Sequence, residues 1–140
     1  MPKSRGASSS GVMILACSGS SNVGQIANSA AVELTREGFG KMFCLAGIGG
    51  HQKGFAVTAQ YASHLLVIDG CSLACARATL EHAGIPIATH VVVTDLGVEK
   101  SKDLSFTPSD LAKAKTRIKE VCLQGRVAAR AGTREAAAGA

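Results

Sequence analysis

Four short runs of β-branched and apolar residues, separated by stretches with helical spacing, constrain the fold more than any other feature of the sequence. The runs contain almost uninterrupted Val, Ile and Leu, which is typical of strands covered on both faces and therefore of a parallel sheet. Parallel strands joined by helices through right-handed crossovers build a three-layer α/β/α sandwich. The sequence thus predicts a Rossmann-like or flavodoxin-like α/β fold. By analogy with other short doubly wound folds, its four strands are expected in the order 2-1-3-4, at 12–16, 41–45, 65–69 and 90–94.

Helices are predicted between the strands from apolar spacing and from signals at their ends. The last helix is the best marked, because the segment 107–110 supplies a threonine N-cap, a first-turn proline and a capping-box acid. The helix before it is predicted to start just after Cys71, to bury Leu73 on its inner face and to stop at Gly84. The other two are expected from about residue 22 to just before 38, and from about 53 to 62.

The basic charge of the chain is concentrated at its two ends. The net charge is +5 over 140 residues, yet residues 11–107 sum to −1, while the segment 108–140 carries seven basic and three acidic side chains. Phosphate binding needs a basic face on the folded body, so no nucleic-acid partner is expected. With 46% apolar residues the chain can fill one core. We therefore expect a single domain at 11–125 between disordered tails at 1–10 and 126–140.

The number and spacing of the cysteines indicate the compartment. Five cysteines are an odd number and are too sparse for a small disulfide-stapled fold, which favours a reducing environment. The apolar run at 12–16 follows Lys3 and Arg5 but is shorter than the core of a signal peptide, so it is interpreted as a strand. No run approaches the length that a membrane span requires. A cytoplasmic location without a membrane partner is therefore expected.

Three cysteines follow predicted strands, at the sheet edge where such folds bind ligands. Cys17 and Cys44 come at the ends of the first two strands, Cys71 lies two residues past the third, and Cys75 follows one helical turn later. Neighbouring strands are about 4.8 Å apart, so four sulfurs can approach the tetrahedron of Zn–S bonds of about 2.3 Å that zinc prefers. Any one of these cysteines could instead pack in the core, as we expect of Cys122. Because Cys75 lies off the apolar stripe of its own helix, a shared metal site is favoured.

The motif Asp69-Gly70-Cys71, with Cys17 after the first strand, Cys44 after the second and Cys75 one turn later, is similar to a known family. It resembles the small bacterial and archaeal domains that are named after the Asp-Gly-Cys motif and described as zinc-binding. The resemblance covers about residues 12–120. It implies that the four cysteines are metal ligands, and it implies little about activity.

Several residues beside the cysteines are candidates for supporting roles. Asp69 is expected to accept a backbone N–H and steer the following loop, and Gly70 to permit a tight turn out of the strand. His51, in a glycine-rich loop, is the one histidine predicted at the same sheet edge, as an exchangeable ligand or a proton carrier. His64 and His90 are placed at the opposite edge, where structural roles suffice.

The sequence leaves two classes of function open. The favoured one is a zinc-binding module, with an iron–sulfur cluster as the less favoured alternative. Four protein ligands would leave no open position, so the ion would be structural or in transit, and the role would be metal handling or regulation. The other class is a thiol-dependent enzyme. Either Cys71 and Cys75 carry redox or sulfur-transfer chemistry, or the Cys-x5-Arg spacing from Cys71 to Arg77 holds an oxyanion.

Overall fold

The computed structural model describes the backbone of residues 11–138 and the side chains of residues 11–127. The predicted tail at 1–10 lies outside the described residues. The strands are Val12–Ala16 (β1), Lys41–Met42 (β2), His64–Asp69 (β3) and Thr89–Val92 (β4). The helices are Asn22–Arg36 (α1), Leu45–Gly49 (α2), Phe55–Gln60 (α3), Cys75–His82 (α4) and Pro108–Ala138 (α5), and a 3₁₀ turn spans Val93–Leu96.

The four strands form one parallel sheet in the order β2-β1-β3-β4, which confirms the predicted order and fold class. Because side chains alternate across a strand, the sheet has two apolar faces. Ile14 and Ile68 belong to the core on the side of α1 and α5, whereas Leu15 and Val67 belong to the core on the side of α2, α3 and α4. This is the expected three-layer α/β/α sandwich.

Two elements at the second strand differ from the prediction. The strand ends at Met42 rather than at residue 45, and a short helix, α2, begins at Leu45. Cys44 is the N-cap of that helix and accepts the backbone N–H of Gly47 on its sulfur at 3.3 Å. A cysteine thiol rarely serves as an N-cap. A sequence pattern based on the common N-cap residues, Ser, Thr, Asp and Asn, therefore does not predict this helix.

The start of α4 corrects the prediction for the third helix. The helix begins at Cys75 rather than after Cys71, because Ala74 adopts a left-handed conformation with φ 52° and ψ 49° that interrupts the helical path. Leu73 therefore lies in the preceding turn and is 72% exposed, not on the inner face. Ala76 and Leu80 are fully buried, as the apolar spacing predicts.

The long C-terminal helix α5 confirms its predicted start. Thr107 Oγ1 accepts the N–H of Asp110 at 3.1 Å, and the Asp110 carboxylate accepts the N–H of Thr107 at 3.4 Å, which together form a capping box. The helix continues to Ala138, so the backbone of 126–138 is helical where the sequence predicts a disordered tail. Across the described part of the chain, none of the helices is both long and apolar enough to span a bilayer.

Candidate functional site

A pocket at the carboxyl edge of the sheet brings three thiols together. Cys17 follows β1, Cys71 follows β3 after one intervening residue, and Cys75 begins α4; all three line the pocket. Lys100 lines it from the loop between the 3₁₀ turn and α5. Carboxyl ends of parallel strands meet at one edge, so cysteines far apart in the chain become neighbours here.

Cys17 is a partly buried thiol of this pocket. Partial burial raises the pKa of the Cys17 thiol above its ordinary value, since desolvation disfavours the thiolate. Backbone hydrogen bonds from Gly19 and Gly70 act in the opposite direction, and the Gly19 N–H lies 3.3 Å from the sulfur. The negative charges of Asp69 and of a Cys75 thiolate raise the pKa further.

Asp69, the first residue of the motif, is fully buried and serves as a cap for α4. Its Oδ1 accepts the N–H of Ala76 at 2.8 Å, and its Oδ2 accepts the N–H of Arg77 at 3.1 Å. These are two of the backbone donors that a helix start leaves without intrahelical partners. The carboxylate thus supports the turn that begins with Cys75. The sequence predicts that Asp69 accepts one backbone N–H, and the structure shows that it accepts two.

Gly70 is required for close approach rather than for an unusual turn. A Cβ at this position would lie 2.6 Å from the backbone nitrogen of Gly24 in α1, and its φ is not in the left-handed region. Gly24 in turn leaves room for the backbone of Gly19, since its Cβ would lie 2.7 Å from that carbonyl oxygen. Gly70 and Gly24 therefore let the end of β3, α1 and the loop after Cys17 meet at the pocket.

Lys100 approaches Cys71 on a loop that α1 holds in place. The Nζ of Lys100 donates to the sulfur of Cys71 at 3.4 Å. Asn22, the first residue of α1, donates from its side chain to the Glu99 carbonyl at 2.8 Å and accepts the Ser101 N–H at 2.6 Å. These two hydrogen bonds hold the residues on either side of Lys100. The path of this loop therefore brings the Lys100 ammonium group next to the Cys71 thiol.

Cys44 lies outside the set of described residues that line the pocket. It is exposed at the start of α2, a helix that packs against α4. Cys44 therefore belongs to a separate element, whose helix packs against the one that Cys75 begins. The structure brings three of the four predicted ligands to one pocket and places the fourth on the neighbouring helix.

The donor chemistry of the pocket fits a soft metal ion, since three thiols share one cavity and sulfur ligands favour zinc and iron–sulfur clusters. Within the part of the chain that the structure describes, however, no group of three or more His, Cys, Asp and Glu side chains is arranged as a metal-binding set. Ligation would require a change in the arrangement of these side chains. The four-cysteine site accordingly stays a prediction.

The histidines are placed differently from the sequence interpretation. The ring of His51 packs edge-on against the ring of His82, with centroids 6.0 Å apart, at the far end of α4 from Cys75. His90, which we expected at the opposite edge, has its Nε2 2.8 Å from Asp69 Oδ2. It pairs with Val67 across the strands, two residues before Asp69, so an imidazole on that face can reach the carboxylate. The offset of β4 against β3, which brings His90 to Asp69, could not be predicted from the spacing of residues in the sequence.

The Cys-x5-Arg alternative finds no support in the arrangement of its residues. The guanidinium of Arg77 pairs with Glu81 at 2.7 Å and lines a different cavity, together with His90. The N–H groups of Ala76 and Arg77, which an oxyanion would need, already donate to Asp69. The loop after Cys71 therefore lacks a free anion cradle formed by these groups.

Cys122 confirms its predicted place in the core. It is fully buried between α5 and the sheet, and burial raises the pKa of its thiol, with the charge of Arg126 acting in the opposite direction. A thiol in this setting packs as a small apolar side chain.

Comparison with known proteins agrees with the motif. The chain is 34% identical over 88 residues to the anaerobic and virulence modulator AnvM of Pseudomonas aeruginosa, a region that covers 63% of this chain and 67% of that protein. No solved structure matches the chain. The DGC domain matches residues 13–118, a span that runs from the second residue of β1 into the first part of α5 and includes all four site cysteines. This chain therefore belongs to the DGC domain family.

Proposed function

We propose that this protein binds a zinc ion through the thiolates of Cys17, Cys71 and Cys75, with Cys44 as the fourth ligand. The observation that supports it best is the shared pocket: three thiols from three separate segments line one cavity. A single buried cysteine is ordinary core packing, but three at one solvent-facing cavity are not needed for packing.

The hydrogen bonds to the sulfurs add to this argument. Cys17 accepts from Gly19, Cys44 accepts from Gly47, and Cys71 accepts from Lys100. Donors in these positions can also bond to a sulfur that ligates a metal ion. Such outer contacts also orient the ligands in metal sites.

Four thiolate ligands would leave no position on the ion for a substrate, so the ion would be structural or transferable. The related AnvM is named as a modulator, which favours a regulatory role for the present site over turnover of a substrate. We therefore propose metal-dependent regulation in the cytoplasm, with the metal ion as the partner that the site binds. An iron–sulfur cluster is the competing occupant, because it uses the same ligands.

Metal analysis combined with thiol counting tests the proposal. Protein without an affinity tag, purified under reducing conditions, is expected to carry one zinc per chain, and the apo form to take up one equivalent in competition with a chromogenic chelator. Cys17→Ser, Cys71→Ser and Cys75→Ser should each lower the affinity for zinc by at least about tenfold. Cys44→Ser should also lower it, whereas the core variant Cys122→Ser serves as the matched control.

Three outcomes would contradict this function. Absence of stoichiometric zinc, together with no uptake by the apo protein, would exclude it. Equimolar iron and acid-labile sulfide would assign a cluster instead. A reversible disulfide between Cys71 and Cys75 in metal-free protein that also fails to take up zinc would favour the redox alternative.

A further inference from the structure

Helix α4 starts without a cap of its own. The N-cap position is Ala74, which has no side-chain acceptor and lies in the left-handed region. The first turn is instead capped from the sheet, since the Asp69 carboxylate accepts the N–H groups of Ala76 and Arg77. Cys75 is the first helical residue, so its position depends on how firmly Asp69 is held.

His90 is the third partner of the same carboxylate. A carboxylate only accepts, so the Nε2–H of His90 donates to Asp69 Oδ2 across 2.8 Å. Oδ2 thereby carries two bonds, of which the one to Arg77 N–H is the longer at 3.1 Å. His90 is 20% exposed in its side chain, whereas that of Asp69 is 1% exposed. The hydrogen bond thus links the buried Asp69 carboxylate to a His90 imidazole that is partly exposed to solvent.

The strand register explains why His90 can act on α4. His90 pairs with Val67 in β3, and Asp69 lies two residues further along the same strand. Residues two apart share a face, and Val67 belongs to the core against which α4 packs. His90 and Asp69 therefore both project from the sheet toward α4. Asp69 reaches the first turn of that helix.

We propose that His90 is a positioning residue for the thiol site, which it supports through Asp69 and the first turn of α4. His90 does not itself line the thiol pocket; it bonds to Asp69, which does, and so orients the carboxylate that places Cys75. The expected effect on zinc affinity rests on the proposed zinc-binding function. The hydrogen bonds that join His90, Asp69 and the first turn of α4 exist in the metal-free protein.

Three variants separate positioning from general folding. His90→Phe keeps a ring of similar size and removes the donor, and it is expected to lower the affinity for zinc by about tenfold. His90→Gln can place an amide N–H near the Nε2 position and should restore most of that affinity. His82→Phe, at the other end of α4 and exposed, is the matched control and should bind zinc like the wild type. Should the phenylalanine not be accommodated, His90→Ala provides the same loss of the donor.

A second measurement does not depend on metal. In the apo protein, the amide hydrogens of Ala76 and Arg77 should exchange about tenfold faster in His90→Phe than in wild type, since their acceptor is less firmly held. The exchange of amides in β1 should stay unchanged. His90→Gln should return the Ala76 and Arg77 rates toward those of wild type.

The outcomes distinguish this inference from the function on which it rests. If wild-type protein binds zinc and His90→Phe shows the same affinity and the same amide exchange, the positioning role is wrong and the metal site stands. If wild-type protein takes up no zinc, the proposed function fails, and faster exchange at Ala76 and Arg77 would still support the positioning of α4. Loss of affinity that His90→Gln does not restore, with uniformly faster exchange across the sheet, would indicate a folding defect and overturn the inference.

Discussion

The Nζ of Lys100 lies 3.4 Å from the sulfur of Cys71, although 29 residues separate the two in the chain. The contact exists because Asn22 binds the backbone on both sides of Lys100 and draws the loop across the carboxyl edge of the sheet. A cation thus faces a pocket in which three thiols would become negatively charged on ligating a metal ion.

Replacing Lys100 by Met should weaken zinc binding. The cation offsets the charge of the thiolates, but the pair is exposed, so the expected loss of affinity is about three- to fivefold. The difference between variant and wild type should shrink as the salt concentration rises, because exposed charges are screened. Competition titrations at low and high salt measure both effects. Lys102→Met, an exposed change on the same loop, is the control, and an equal loss there would contradict a specific role for Lys100.

Replacing Gly70 by Ala should destabilise the fold. The new Cβ would lie 2.6 Å from the nitrogen of Gly24, and a backbone neighbour cannot move aside cheaply, so the free energy of unfolding should fall by about 2–3 kcal/mol. Gly49→Ala is the matched control, since its Cβ would meet Thr79 Cγ2 at 3.4 Å, an ordinary contact. That change should stay within about 0.5 kcal/mol. Urea denaturation measures both, and similar midpoints would show that Gly70 is not constrained by packing.

The five thiols should divide into two groups when they react with a small alkylating reagent. Cys122 is fully buried in the core and should be modified only after the protein unfolds. The four site thiols are partly or fully exposed and should react in the native apo protein. Mass spectrometry after timed alkylation, with and without denaturant, identifies each site. Rapid native modification of Cys122 would contradict its place in the core.

Stability should decline in mildly acidic solution because of His64. Burial, reinforced by the positive charge of Arg126, lowers the pKa of His64 below its ordinary value of 6.5 in the folded state. The unfolded chain therefore takes up this proton at a higher pH than the folded protein does, and protonation favours unfolding. Stability that is present above about pH 6.5 is lost as the pH falls through the folded pKa.

Urea denaturation at a series of pH values measures this dependence on His64. In His64→Gln, which can keep a hydrogen bond to Thr89, the free energy of unfolding should vary less between pH 7 and pH 5 than in wild type. Parallel curves for the two proteins would show that His64 does not contribute to the loss.

Local patterns accounted for most of the fold. The boundaries of β1 and the start of α1 agree with the sequence prediction, because a continuous apolar run and apolar residues at helical spacing act over a few residues. The start of α4 was wrong, since the left-handed conformation of Ala74 has no local signal; alanine is otherwise a strong helix former. The helix α2 was missed for a related reason, because Cys44 is an unusual cap.

The candidate site also has a part that the sequence predicts and a part that it does not. The motif and the ends of the strands were enough to predict that Cys17, Cys71 and Cys75 meet, because the carboxyl ends of parallel strands share one edge. The supporting groups were not predictable. His51 was chosen for its nearness in sequence to glycine-rich residues and instead packs against His82.

By itself, the amino-acid sequence determined the layered α/β architecture and the sheet edge at which the thiols gather, because apolar periodicity and strand ends are recorded residue by residue. Only the tertiary structure decided that His90 reaches Asp69 and that Lys100 reaches Cys71. Those contacts depend on the stagger of β4 against β3 and on the path of a loop bound by Asn22. Both arise from packing between distant segments, whose geometry no local pattern of residues encodes.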